Sequence, residues 1–425
     1  MAGRIKMPLR AACLAAALAL TGCGAGSAVV NYEEPLGEIT TISFFGNKYE
    51  PENVEVIEEI LTDFMAENPD IRISYESLKG NDYYDALRKR MAAGKGNDVF
   101  MVNHDIVLEL KQSGQLMDLS GLSSIDGYTD RMRSQMEAEG KIYWVPTIVS
   151  AFGMYCNIDL LEKHKQEIPE NAGEWKQVCA YFLDQGITPV IANNDISLKT
   201  LAIGRGFYSV YQENRQEEVF ARLNSGEEAL SAYLTDGFSL AEELIDLGYI
   251  DAAKAINTKK TADDLEQFAA GESPFMLTGA WAAGRVEKMN PGFKFLVEPI
   301  PALEDGALLV INPDVRLSIN ADSEHPEAAV RFVEFFTRPE NIRRLADQQS
   351  SFSPLRGGNP STVKETQPLI SCYEEDRTVI GTDGLLRLPI WNLTEQVSKL
   401  LLTGEALEPA MDWMDQEAAR ERGAL

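Results

Sequence analysis

Residues 38–112 decide the fold: EITTISFFGNKYEPENVEVIEEILTDFMAENPDIRISYESLKGNDYYDALRKRMAAGKGNDVFMVNHDIVLELKQ. Residues 38–45 are β-rich and end in Gly46-Asn47. From Glu52 to Glu67, Ile57, Ile60, Leu61, Phe64 and Met65 fall on one helical face, and Asn68-Pro69-Asp70 stops that helix. Residues 71–75 alternate as a strand does. Asp82 is placed to cap a helix through Tyr83, Leu87 and Met91, which Gly94 and Gly96 end. Residues 99–102 are a short, fully apolar strand, and 106–112 are helical with Gly114 beyond them. Strand and helix alternate three times within about 75 residues, which predicts a parallel sheet covered by helices. In such sheets ligands sit beyond the carboxyl ends of the strands. The polar segments Phe45-Gly46-Asn47-Lys48 and Asn103-His104-Asp105 occupy those ends.

Further along, residues 157–270 carry mixed helical patterns. Residues 185–191 read as a turn into a buried strand. Residues 275–281 (FMLTGAW) form an apolar strand breaking at Gly279, and 315–321 alternate as a strand. Residues 326–337 (PEAAVRFVEFFT) form an amphipathic helix. No internal repeat or low-complexity tract is present.

The chain has 425 residues, enough for two domains. Its formal charge is −27, from 39 Lys+Arg against 66 Asp+Glu, and such a surface repels nucleic acid. Only 3 His are present, thin material for a zinc site or His-based catalysis. Arg4, Lys6 and Arg10 precede an uncharged apolar run at 11–20, too short to span a bilayer, so residues 1–22 read as a secretory signal. Leu20-Thr21-Gly22-Cys23 resembles the bacterial lipobox, in which a lipid is attached to the cysteine; the alternative is an ordinary signal with an incidental Cys. Residues 23–37 then form a lipid-anchored tether. Loss of residues 1–22 removes three positive charges and lowers −27 to −30. Cys156, Cys179 and Cys372 are too few and too widely spaced for a disulfide framework and read as small buried hydrophobes.

Several segments together resemble the extracellular solute-binding proteins (family 1, sugar-binding type) of bacterial ABC transporters. Residues 61–73 (LTDFMAENPDIRI) are similar to the family's opening helix, Asn-Pro-Asp turn and strand. Gly96-Asn97-Asp98-Val99-Phe100 resembles its Pro-Asp-Val strand entry, with Asn97 replacing the usual Pro. Residues 140–161 (GKIYWVPTIVSAFGMYCNIDLL) resemble its Gly-Lys-x-Tyr-x-x-Pro stretch and the Tyr-Asn-x-Asp-Leu that follows, with Cys156 inserted. Glu174-Trp175, Gly186-Ile187-Thr188-Pro189, residues 268–281 (FAAGESPFMLTGAW) and the helix at 326–337 match in the same order. The resemblance implies an α/β, two-lobed periplasmic-binding-protein-like fold (type II), its lobes joined by crossing hinge strands near Val145-Pro146, Pro313 and Phe352-Pro354. Lobe 1 would comprise residues 38–145 and 314–352, and lobe 2 residues 146–313 and 353–425. It further implies a monomer on the extracellular face of the cell membrane, held there by its N-terminal lipid. This protein would deliver a carbohydrate to ABC permease subunits, with no enzymatic step and no cofactor or metal.

A sugar site needs amides, carboxylates and aromatic plates. Trp281, just past a strand-ending Gly, is either core or the family's ligand-stacking Trp. Trp391 matches another stacking aromatic by spacing, whereas Trp175 matches a structural one; Trp144 and Trp413 stay unassigned. Of Asn103, His104 and Asp105, one caps a helix while another faces ligand. Asp105 resembles a family carboxylate that takes sugar hydroxyls, and His104 reads as a hydrogen-bonding neighbour. Asn47 is a ligand candidate by its strand-end position. Ser150 sits where some members carry a carboxylate. Arg316 either binds ligand or pairs with a carboxylate, with the ion pair preferred. Phe352 is either hinge or cleft wall. Asn193, Asn194 and Asp195 read as a turn.

Three other readings remain open at this level. The same fold could bind a polyol, an amino-acid-like solute or an anion, although few basic residues stand at the strand ends. A secreted glycosidase needs only two carboxylates, but no Gly-x-Ser-x-Gly, His-Glu-x-x-His or phosphate loop is present. A surface interaction protein would show an apolar cleft.

Overall fold

The computed structural model describes residues 39–358 and 361–424. The signal at 1–22, Cys23 and the tether at 23–37 lie outside the described residues. The alternation in the opening stretch becomes β1 (Thr40–Gly46), α1 (Pro51–Glu67), β2 (Ile71–Ser77), α2 (Gly80–Ala92), β3 (Val99–Val102) and α3 (His104–Gln112). β1 pairs in parallel with both β2 and β3, so its three polar C-terminal ends lie on one edge. α2 starts two residues before Asp82, with no side-chain cap, so the expected cap is instead a first-turn acid, where it suits the helix dipole.

The remaining strands of the main sheet are β4 (Val145–Asn157), β5 (Val190–Ile191), β6 (Phe275–Gly279), β7 (Phe295–Glu298), β8 (Ile300–Leu303), β9 (Gly306–Ile319) and β10 (Thr378–Ile380). Their order is β2-β1-β3-β9-β4-β6-β5, with β8 and β10 on β9 and β7 on β4. β9 is antiparallel to β3 and to β4. The strand expected over 315–321 therefore begins much earlier, at Gly306, and runs straight through Pro313. Four further helices matter for the site and the core: α4 (Ser197–Gln212), α5 (Pro326–Phe336), α6 (Ile390–Leu402) and α7 (Leu407–Ala424).

Two apolar clusters hold these elements. One packs Phe44, Phe64, Phe332 and Phe336 between β1, α1 and α5, with Phe64 and Phe332 ring centroids 5.3 Å apart. The other surrounds Trp175, Phe182, Phe207, Phe220 and Phe238. β4 and β9 serve both: Ala151, Tyr155, Leu309 and Ile311 point into the first cluster, while Phe152, Met154, Leu308 and Val310 point into the second. This is the two-residue period of a strand buried on both faces. Every residue of β4 is buried. Pro313 pairs with Val149, and Val149 exchanges both backbone hydrogen bonds with Phe352 (2.8 and 2.9 Å), so the three segments expected to cross lie side by side. Cys156, Cys179 and Cys372 are free and buried. No helix among the described residues is long and apolar enough to cross a membrane, and none of their side-chain clusters could hold a metal ion.

Candidate functional site

A cavity of about 290 Å³ lies where the ends of β1 and β3 face β4, β9, the segment after β6 and the start of α6. Asn47, Asn103, His104, Asp105, Ser150, Trp281, Arg316 and Trp391 all line it. Phe352 does not: it is buried and stacked on Tyr373 at 4.1 Å between ring centroids, beside β4.

The strand ends place the polar groups. Asn47 donates to the Tyr84 hydroxyl (3.0 Å), and Tyr75 ties down the next carbonyl, that of Lys48 (2.8 Å). After β3, Asn103 caps α3, its Oδ1 accepting the Ile106 N–H at 2.9 Å. His104 is buried with Nε2 3.3 Å from the Leu388 carbonyl. A carbonyl only accepts, so this nitrogen carries the proton. Burial and, next, the positive charge of Arg316 push the ring pKa down to about 3, which keeps it neutral. Asp105 is the odd member: it is buried, and neither carboxylate oxygen has a hydrogen-bond partner among the described residues. Burial raises its pKa to about 7 despite the pull of Lys199 and Arg316.

The two tryptophans owe their positions to glycines. A Cβ on Gly279 would stand 2.2 Å from the Trp281 ring, and one on Gly381 would stand 3.2 Å from the Trp391 ring. Both rings are half-buried and meet Phe152 of β4, at centroid distances of 5.1 Å for Trp281 and 5.4 Å for Trp391. The buried ammonium of Lys199 sits 4.2 Å over the Trp391 ring. Trp175, as expected, is wholly in the core.

Of the two readings of Arg316, the ion pair is not present: among the described residues no carboxylate ion-pairs with it. Its guanidinium lies 4.2 Å over Trp144 and donates to the Pro313 carbonyl (2.8 Å) and the Thr382 hydroxyl (2.7 Å). Those neutral partners come from β9 itself and from the segment after β10, whose approach only the sheet register fixes. Burial lowers its pKa to about 10, so it remains charged at neutral pH. Next to it, Val315 has φ 45°, rare for a β-branched residue, at the point where β9 passes the cavity. Ser150 donates to the Asn312 carbonyl at 3.4 Å.

Sequence reasoning missed most of the charged lining. Lys48 pairs with Asp314 (3.7 Å), Arg285 with Glu50 (3.7 Å), and Lys260 with Asp195. Asp195, read as a turn residue, also holds Lys199 at 2.5 Å; burial would raise its pKa, but the two ammonium groups overrule that and hold it ionised. No short motif marks these residues. The nearest signal was the polar loop at 193–195. The cavity thus has more cations than the strand ends suggested, but acidic partners sit beside them and Asp105 adds an unmatched carboxyl.

Residues 48–342 match the family model for bacterial extracellular solute-binding proteins. An uncharacterized lipoprotein of Streptomyces antibioticus is 25% identical over 346 residues, 77% of this chain and 72% of that protein. The multiple sugar-binding protein of Streptococcus mutans is 22% identical over 372 residues, 84% of each chain. A structure of the solute-binding protein RafE in complex with raffinose superimposes with TM-score 0.71 at 23% identity, over 90% of this chain and 100% of that one. At that identity the likeness establishes the fold: α/β and two-lobed, of the periplasmic-binding-protein type.

Proposed function

This chain belongs to the family of bacterial extracellular solute-binding proteins, and we propose that it captures a carbohydrate in the cavity above and hands it to the permease of an ABC transporter. The observation that carries the ligand class is the pair of half-buried tryptophans flanking Phe152 beside a buried carboxyl with no partner. Aromatic faces receive the C–H faces of a sugar ring, and a carboxylate accepts its hydroxyls. Three of the cavity's cations, Lys48, Arg285 and Lys260, are already engaged by acids, which leaves Arg316 as the buried charged group open to an anion and makes the aromatic faces the stronger feature. The named ligand classes of the relatives, multiple sugars and raffinose, support the reading.

Asn47, Asn103, Asp105, Trp281, Trp391 and Arg316 contact the ligand, with Ser150 on the floor and His104 holding the wall. Phe352 acts at the hinge. Residues 38–145 with 314–352, and 146–313 with 353–425, move as two lobes about the adjoining strands, closing because ligand touches both. The protein works as a monomer, tethered through a lipid on Cys23 at the extracellular face of the membrane. It catalyses no covalent step.

A thermal-shift screen of the chain against mono- and oligosaccharides tests the reading. A ligand that binds only the folded state stabilises it by mass action, by about 2.7 kcal/mol at a hundredfold excess over Kd, and so raises the melting temperature. Trp281→Ala should remove the shift and leave unliganded melting near that of the parent. A shift from another solute class and from no sugar refutes the carbohydrate assignment.

A further inference from the structure

Asp195, Lys260, Trp391 and Glu395 line the cavity, and Lys199 lies behind them. Its side chain, on α4, has no exposed surface. Its Nζ is 2.5 Å from Asp195 Oδ1, 3.5 Å from Glu395 Oε2 and 4.2 Å from the centre of the Trp391 ring. Each carboxylate gives its other oxygen to an outer lysine: Asp195 to Lys260, and Glu395 to Lys399 at 2.5 Å. Lys199 is therefore the middle of a chain of alternating charge, Lys260–Asp195–Lys199–Glu395–Lys399, and its only wholly buried member.

Trp391 and Glu395 are one turn apart on α6, so ring and carboxylate share a face of that helix. The ammonium, brought by α4, docks on both. Little else holds the ring. It meets Phe152 at a tilt, and among the described residues its Nε1 donates no hydrogen bond. The ammonium is also a costly way to fill the space behind it. Burial lowers the Lys199 pKa, and only the charges of Asp195 and Glu395 work against that shift. A Met of the same reach would pack there without desolvating a charge. What Met would lack is an attraction for one face of an indole.

We propose that Lys199 is the positioning residue of Trp391: its ammonium, clamped between Asp195 and Glu395, closes one face of the indole and leaves the opposite face to the sugar. This rests on the carbohydrate reading and adds to it the residue that sets one of its two aromatic plates.

The test uses the full chain and two readouts. Near-ultraviolet circular dichroism of the unliganded protein reports the ring, since the difference between parent and Trp391→Phe is the Trp391 band. Lys199→Met should lose that band, Lys199→Arg should keep most of it, and Lys399→Met, at the outer end of the chain, should keep all of it. Calorimetry with raffinose and maltotriose reports the plate. Lys199→Met should weaken binding roughly tenfold, and Lys199→Arg should recover most of the loss. In a Trp391→Ala background Lys199→Met should cost nothing further, because it acts through the ring. An unchanged Trp391 band in Lys199→Met, an equal loss of it in Lys399→Met, or an undiminished cost in the Trp391→Ala background overturns the proposal. Should Lys199→Met melt too early to assay, Glu395→Gln, which removes the acid on the ring's own helix, should lose part of the band, and an unchanged band there overturns the proposal equally. A parent that binds no sugar at all ends the carbohydrate reading and the ligand half of this one; that failure shows in the parent, while the dichroism still decides whether Lys199 holds the ring.

Discussion

Replacing Asp105 by Asn should make the protein more stable above neutral pH. Asp105 is buried without a hydrogen-bond partner, and its pKa is raised from the ordinary 3.8 to about 7. Its electrostatic surroundings are Lys199, Glu109, Arg316 and Arg88, and the two cations nearest in effect only partly offset burial. Between pH 4 and 7 the folded protein keeps a proton on this carboxyl that the unfolded chain has shed. The unfolded state therefore binds fewer protons, and stability falls as pH rises through that window, then levels above it. Each tenfold change in proton affinity corresponds to about 1.4 kcal/mol, so the ionised folded form is disfavoured by about 4 kcal/mol at pH 8. Asn cannot ionise and is as poorly partnered as the neutral acid, so the substitution removes the penalty and little else. Urea unfolding of parent and variant from pH 3.5 to 9 should show the curves converging below about pH 4 and separating progressively up to that amount at pH 8. A sugar that donates hydroxyls to Asp105 favours its ionised form, so calorimetry near pH 6 in buffers of different ionisation enthalpy should detect proton release on binding. Asp105→Asn no more stable than the parent at pH 8, or identical pH profiles, would refute the burial argument.

Two other substitutions probe the walls. Gly279→Ala introduces a Cβ that would stand 2.2 Å from the Trp281 ring; the half-buried ring must swing away, so sugar affinity should drop at least tenfold, while melting temperature changes little, read by titration of Trp fluorescence. Lys199→Met removes the buried cation shared by Asp195 and Glu395 and lying over Trp391; breaking a buried charge cluster costs about 3–5 kcal/mol, measurable by urea unfolding, and a change under about 1 kcal/mol would show that Lys260 and Lys399 suffice.

Local pattern made the scaffold legible. The heptad-like spacing of Ile57, Ile60, Leu61 and Phe64 names the buried face of α1, and all four are in the core. The polar ends of β1 and β3 pointed to the cavity before any fold was known, because strand ends, and the caps that follow them, are written in adjacent residues. Asn103 and Asp105 show the limit. Sequence proposed that one would cap and another face ligand, and only the backbone geometry assigned the cap to Asn103.

Long-range pairing was not legible. Arg316 was read as either a ligand contact or the partner of a carboxylate, and the register of β9 with the approach of the segment after β10 set neutral Thr382, 66 residues away, against it. Asp195, Lys260 and Glu395 come from three distant segments and carry no motif. By itself the sequence determined the elements, their alternation and the mouth of the site, since hydrophobic period and turn chemistry act between neighbours in the chain. Tertiary structure alone decided which charges cancel and that Asp105 lacks a partner among the described residues. Those outcomes depend on how β4 and β9 bring remote segments together and on how much water the resulting packing excludes.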